Sequence, residues 1–146
     1  MFNRFNTIKK PAIVVVSLGT IYSAALQAEQ QVLINLASGS TQTQGMAMVL
    51  ASQMQQQGAK VSVLLCDSAA DLALQQPSGE LLKPMNASPA QLLAKLRQGG
   101  AQVQVCALYL PNKGLPATGL AEGITAARPD DIAGLMLSPG VKVFSF

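Results

Sequence analysis

Two cysteines, Cys66 and Cys106, carry the most versatile chemistry in this 146-residue chain, and no histidine or tryptophan accompanies them. The missing histidine excludes a Ser-His-Asp or Cys-His nucleophilic site supplied by this chain alone, together with every His-containing metal site. Cys106 lies in Val105-Cys106-Ala107-Leu108-Tyr109-Leu110-Pro111-Asn112-Lys113-Gly114, where an apolar run delivers a thiol toward a Pro/Gly loop holding one cation. A neighbouring ammonium lowers a thiol pKa and raises its thiolate fraction, which sulfur transfer and thiol exchange both require. The competing reading is a small hydrophobe packed in the core, the usual fate of a free cysteine. For Cys66, at the end of Lys60-Val61-Ser62-Val63-Leu64-Leu65-Cys66, that core reading is preferred over a resolving thiol.

Three other groupings are weaker. Asp67 and Asp71 could form an acidic pair, but no partner base is visible, and loop acids are usually solvated. Ser38 to Gln44 could hold an anion at a helix N-terminus, yet the segment lacks the spacing of a phosphate loop. Met85 with the two cysteines has the softness for Cu(I), but their separation in sequence gives it no support. No metal and no cofactor are expected.

The elements that must position these residues are legible from periodicity. Gln31 to Ala37 is an apolar run ended by Ser38-Gly39-Ser40-Thr41, a buried strand followed by a turn. Met46, Val49, Leu50 and Met54 recur at helical spacing before Gly58, which predicts a helix with that apolar face inward. Lys60 to Cys66 is a second strand, and 68–87, punctuated by Pro77, Gly79 and Pro84, reads as a long loop with at most a helical turn. Ser88-Pro89-Ala90-Gln91 has the chemistry of a capping box, opening a helix with Leu92, Leu93 and Leu96 inward. A third strand follows over 102–108, a short fourth over 123–126, a helix from Pro129 through Leu137 and a closing strand over 141–146. Alternating strands and helices of this length predict an α/β domain with a small, mainly parallel sheet covered on both faces. Ligands and reactive groups of such sheets collect beyond the carboxyl ends of the strands, where both cysteines fall.

The first 28 residues read separately. Arg4, Lys9 and Lys10 precede an apolar run from Ala12 to Leu26 with small residues near Ala28, the three parts of a secretory signal. The run is shorter than the roughly 20 apolar residues of a membrane span, so cleavage after Ala28, a periplasmic 29–146 domain and no lasting membrane anchor are expected. The formal charge of +3 then leaves with the leader, since seven basic residues remain against seven acidic ones. Without clustered cations, a nucleic-acid partner is not expected. Charged residues make up only 12% of the chain, against about 25% in ordinary proteins, which predicts a buried subunit interface.

The stretch Val105-Cys106 through Lys113-Gly114 resembles the DsrE/DsrF-like sulfur-relay family, including its TusD-type subunits, in its apolar-Cys, small apolar residues, basic residue and Gly. The resemblance extends to the turn from Gly39 to Gln42, to Glu122-Gly123-Ile124 and to Val141-Lys142-Val143-Phe144, and so spans nearly all of residues 31–146. It implies a three-layer αβα fold, assembly into homotrimers or hexamers, and a cysteine at the position of Cys106 that takes sulfane sulfur as a persulfide from a donor protein and passes it to an acceptor. Lys113 and Gly114 would form the loop supporting the thiolate. The rival reading is a non-catalytic binding or scaffold protein that reuses the oligomeric fold, with inert cysteines.

An even pair of cysteines in an oxidising compartment suggests a disulfide. In a flavodoxin-like strand order, however, the first strand separates the two that bear Cys66 and Cys106. Two strand spacings come to roughly 9–10 Å, beyond the roughly 7 Å that a disulfide can bridge, so no intrachain disulfide is expected.

Overall fold

A computed structural model describes residues 29–77 and 79–146; the expected leader at 1–28 lies outside the described residues. Strand β1 (Gln31–Leu36) alternates strictly: Val32, Ile34 and Leu36 point to one face of the sheet, Leu33 to the other. The same alternation continues in β2 (Lys60–Leu65), with Val61, Val63 and Leu65 on the first face and Leu64 on the second, and in β3 (Gln102–Val105) with Val103 and Val105. With β4 (Thr125–Ala126) and β5 (Val141–Ser145) they form a five-stranded, all-parallel sheet of order β4-β3-β2-β1-β5.

Helix α1 (Thr41–Gln56) starts where the Ser40 hydroxyl accepts from the Thr43 N–H at 3.4 Å. Its buried face is Gln44, Gly45, Ala47, Met48 and Ala51, whereas Met46 is exposed. The expected stripe of Met46, Val49, Leu50 and Met54 is therefore not the one that docks most deeply. Small residues let the helix axis come close to the sheet, and the larger side chains flank that contact. A side chain at Gly45 would run into Leu82 of the loop beyond β2. Helix α2 (Pro89–Gln98) has the expected capping box, with Ser88 N–H donating to Gln91 Oε1 at 2.9 Å and Gln91 N–H to Ser88 Oγ at 3.3 Å. Leu93 and Leu96 are buried beneath it. Gln55 of α1 donates to the Gly99 carbonyl at 2.9 Å, so α1 and α2 lie side by side on one face.

Chain direction explains the rest. From β1 to β4 each strand is laid beside its predecessor, which keeps the right-handed crossovers through α1 and α2 on one face. The connection from β4 returns past the whole sheet to β5 on the far side of β1, so α4 (Pro129–Leu137) must cover the opposite face. Ile132 and Leu135 of α4 pack there with Leu33, Leu64, Ala127 and Val141. This is the three-layer αβα architecture expected from the alternation of elements. The flavodoxin-like strand order is corrected: β1 does not separate β2 from β3, because β2 pairs β1 along one edge and β3 along the other. Hydropathic alternation states which face a residue takes and leaves open which edges meet.

Two local expectations also change. Residues Asp67–Ala73 form a 3-10 helix of seven residues, longer than the single helical turn expected within the loop at 68–87. The third strand ends at Val105, and Tyr109–Lys113 is a short helix, α3, with Pro111 inside its first turn, where its missing N–H deprives the helix of no bond. Gly114 then ends α3 at a left-handed φ of 62°. No helix among the described residues is long and apolar enough to cross a membrane.

Ile34, fully buried in the α1/α2 layer, and Leu81, 55% exposed in the segment before α2, provide a contrast. Ile34→Ala should cost about 2–5 kcal/mol of unfolding free energy in a urea titration, and Leu81→Ala less than about 0.5 kcal/mol. Equal losses would contradict this assignment of the core.

Candidate thiol site

Register places the two cysteines. Leu65 of β2 is the partner of Val105 of β3, so Cys66 and Cys106, each one residue further on, continue the pairing past the strand ends. The ladder extends with them: Cys66 N–H donates to the Leu36 carbonyl and Cys106 N–H to the Leu65 carbonyl, both at 2.8 Å. Both side chains fall on the α4 face, packed against the Leu33, Leu64 and Ala127 cluster. Their Cα atoms are 5.0 Å apart and the two residues are joined in a disulfide, within the range of about 4.4–6.8 Å that such a bond requires. The expectation of no intrachain disulfide is overturned, and the cause is the strand order: one strand spacing separates the cysteines, not two.

Neither cysteine is sealed in the core. They lie in the floor of a cleft of about 380 Å³, with Asp67 and Ser68 on the β2 side and Tyr109 and Lys113 on the β3 side. Asp67 follows Cys66 at a φ of 47°, a left-handed turn that Asp tolerates better than most residues. It swings the chain from β2 into the 3-10 helix. Leu108, 73% exposed, stands at the rim.

Lys113 does line the cleft, as the spacing from Cys106 predicts, but its ammonium is engaged: Nζ lies 3.0 Å from Asp71 Oδ1. The Tyr109 hydroxyl donates to the same oxygen at 2.6 Å, and Lys113 Nζ sits 5.8 Å from the centre of the Tyr109 ring. Asp71 thus ties the segment after Cys66 to the segment after Cys106. Its carboxyl is raised by partial burial, but the hydrogen bonds from Tyr109 and Lys113 and the ammonium charge outweigh this and hold it below its ordinary 3.8. Burial first, and then the hydrogen bond to Asp71 and its charge, push the Tyr109 phenol above its ordinary 10. With the Lys113 and Asp71 side chains 47% and 49% exposed, the ion pair itself is worth at most about 1 kcal/mol. Its contribution is positional.

The remaining predicted groups separate. Asp67 and Asp71 share the 3-10 helix, yet only Asp71 pairs with Tyr109 and Lys113. At Ser38 to Gln44 polar groups are engaged by the chain itself, with the exposed Ser40 capping α1 and the buried Gln44 donating from Nε2 to the Ser38 carbonyl at 2.9 Å. Met85 lies beside Met46 on α1, in a different groove from the cysteines, and among the described residues no group of three or more His, Cys, Asp or Glu is placed to hold a metal. Gly114 acts through its backbone as the end of α3. Sequence reasoning missed Asp71 and Tyr109 as a unit. The signal was Tyr109 three residues after Cys106, one helical turn from the thiol, on a segment read as a loop.

Two measurements test this geometry. Thiol titration of the non-reduced, denatured chain should find no free thiol, and two per chain after reduction; a free thiol before reduction contradicts the pairing. Because folding lowers the Asp71 pKa, its ionised form stabilises the fold fully above the unfolded value, and the gain is lost as pH falls through the folded value. The stability gap between wild type and Asp71→Asn should therefore be level from neutral pH to about pH 5 and narrow below about pH 4. A gap that stays constant through that acid range contradicts the role assigned to Asp71.

No family model matches the sequence, and no curated protein matches it significantly. Solved structures do. The ychN protein from E. coli superposes with a TM-score of 0.66 at 20% identity, covering 82% of this chain and 100% of its own. MTH1491 from Methanobacterium thermoautotrophicum, a protein of unknown function, gives 0.61 at 11% identity over 81% of this chain and 100% of its own. BT1422 from Bacteroides thetaiotaomicron, also of unknown function, gives 0.58 at 17% identity over 80% and 95%. The three-layer α/β domain with its five parallel strands thus has the DsrE/YchN-like fold.

Proposed function

We propose that this chain is an exported DsrE/YchN-like sulfur carrier in which Cys106 accepts sulfane sulfur. The observation that carries the reading is the placement of Cys106 at the carboxyl end of β3, in an open cleft rather than in the core. The oxidised chain must first be reduced by a dithiol. The Cys106 thiolate then attacks the outer sulfur of a donor persulfide, forming a new S–S bond as the donor leaves as a thiolate, so that the sulfane sulfur passes over without net oxidation. The disulfide supports the reading of residues 1–28 as an export signal, because such bonds persist in oxidising compartments such as the periplasm.

Self-assembly into a trimer or hexamer belongs to the same reading. Met136 and Leu137 of α4 and Val143 of β5 are exposed apolar groups on or beside the layer that α4 covers incompletely, and a second copy would bury them.

A second reading is favoured by the disulfide itself. It closes a loop of 40 residues, worth about 4 kcal/mol by loop entropy, and would serve a non-catalytic scaffold as a staple with inert sulfurs. Native-state reduction separates the two readings: a site accessible to a dithiol supports the carrier, and a bond that resists reduction until the chain unfolds supports the staple.

After reduction and incubation with inorganic polysulfide, mass spectrometry of the Cys66→Ser variant should place an adduct of about 32 Da on the Cys106 peptide. None should form at that position in Cys106→Ser, and an unmodified Cys106 overturns the reading. Light scattering should give a trimeric or hexameric mass that Leu137→Glu lowers; a monomeric wild type overturns self-assembly.

A further inference from the structure

We infer that Cys66 is the resolving thiol of this site and discharges the Cys106 persulfide as hydrogen sulfide, leaving the disulfide seen in the structure. The inference rests on the persulfide reading of Cys106 and goes beyond it, since a simple carrier needs one cysteine.

Three observations support it. Parallel pairing holds the two Cα atoms 5.0 Å apart, so the inner sulfur of a Cys106 persulfide lies where the Cys66 sulfur reaches it without backbone movement. That proximity survives reduction, because it is set by backbone bonds from Cys66 to Leu36 and from Cys106 to Leu65 and not by the disulfide. A second, non-covalent tie spans the same two segments: Asp71, five residues after Cys66, accepts from Tyr109 and Lys113, which follow Cys106. The reduced pair is therefore preorganised, and the intramolecular reaction gains over any external thiol by its effective concentration. The cleft above the sulfurs is open, which gives the leaving group an exit.

The step balances as follows. The Cys66 thiolate attacks Sγ of Cys106, the bond from that sulfur to the sulfane sulfur breaks, and hydrosulfide leaves and takes up the proton released when Cys66 ionised. One disulfide and one hydrogen sulfide form from one persulfide and one thiol. The sulfane sulfur is reduced to sulfide at the expense of the two cysteine sulfurs. An external dithiol returns the disulfide to two thiols for the next turn.

The test loads the reduced full chain anaerobically with inorganic polysulfide, removes excess by rapid desalting, and traps samples at intervals with an alkylating reagent for mass measurement. Wild type should lose its adduct of about 32 Da and settle about 2 Da below the reduced mass, with sulfide released. In Cys66→Ser the adduct on Cys106 should last at least about tenfold longer, and Cys66→Ala serves if the serine variant does not fold. A wild-type adduct as long-lived as that of the variants overturns resolution by Cys66 while the carrier reading stands. No adduct in either variant, with wild type still a dithiol, overturns the carrier reading and this inference with it. A lasting adduct on Cys66 in Cys106→Ser, matching that of Cys66→Ser, overturns the division of roles. The wild-type time course tests the inference even if every variant misfolds.

Discussion

Strand β2 is paired along both edges, and most of the structure follows from that constraint. Its parallel register with β1 on one side and β3 on the other keeps α1 and α2 on a single face, where Ala47, Met48, Ala51, Leu93 and Leu96 close the principal core. Once three strands have advanced in one direction, β5 is left to pair the free edge of β1, and α4 falls on the opposite face by handedness alone. The same register carries Cys66 and Cys106 off the ends of neighbouring strands into bonding distance. Core, layering and thiol pair are thus three results of one set of backbone bonds.

The charges around the sulfurs form a closed group. Asp71 draws the Lys113 ammonium and the Tyr109 hydroxyl to itself, and Asp67 adds a second negative charge to the lining. With Lys113 paired to Asp71 and Asp67 left over, the cleft has no surplus cation with which to select phosphates or other highly charged anions. What it presents is a pair of soft, polarisable atoms above an apolar floor of Leu33, Leu64 and Ala127. The exposed Leu108 adds an apolar group at the rim.

Element identity was legible in the sequence wherever a local rule was at work: the apolar run from Gln31 to Ala37, the Ser88/Gln91 capping box, the helix opening at Pro129. Cys106 and Lys113, read together from their spacing, line one cleft. What escaped was non-local. The order of strands depends on which edges meet, and Val61 or Val103 would look the same beside either neighbour. That one omission misjudged the cysteine separation and hid the partners of Asp71, which meets Tyr109 and Lys113 only because β2 and β3 are adjacent. The inward face of α1 was misread for a different reason: Ala47 and Ala51 are small, and a reading weighted by side-chain size favours the bulkier Met46 and Val49 over the residues that allow close approach.

The bond between Cys66 and Cys106 also changes the topology of the chain. Everything from the 3-10 helix through α2 to the end of β3 becomes a covalent ring, and Lys83 lies on an exposed arc of it. A peptide bond cut on that arc opens the ring without dividing the molecule, since both fragments remain attached through sulfur and through the sheet. Reduction of the nicked molecule removes the covalent tie and leaves β2 and β3 held by their hydrogen bonds, their shared core and the contacts of Asp71 with Tyr109 and Lys113. The redox state of two side chains therefore decides whether a nicked molecule is one covalent object or two, although neither strand has moved.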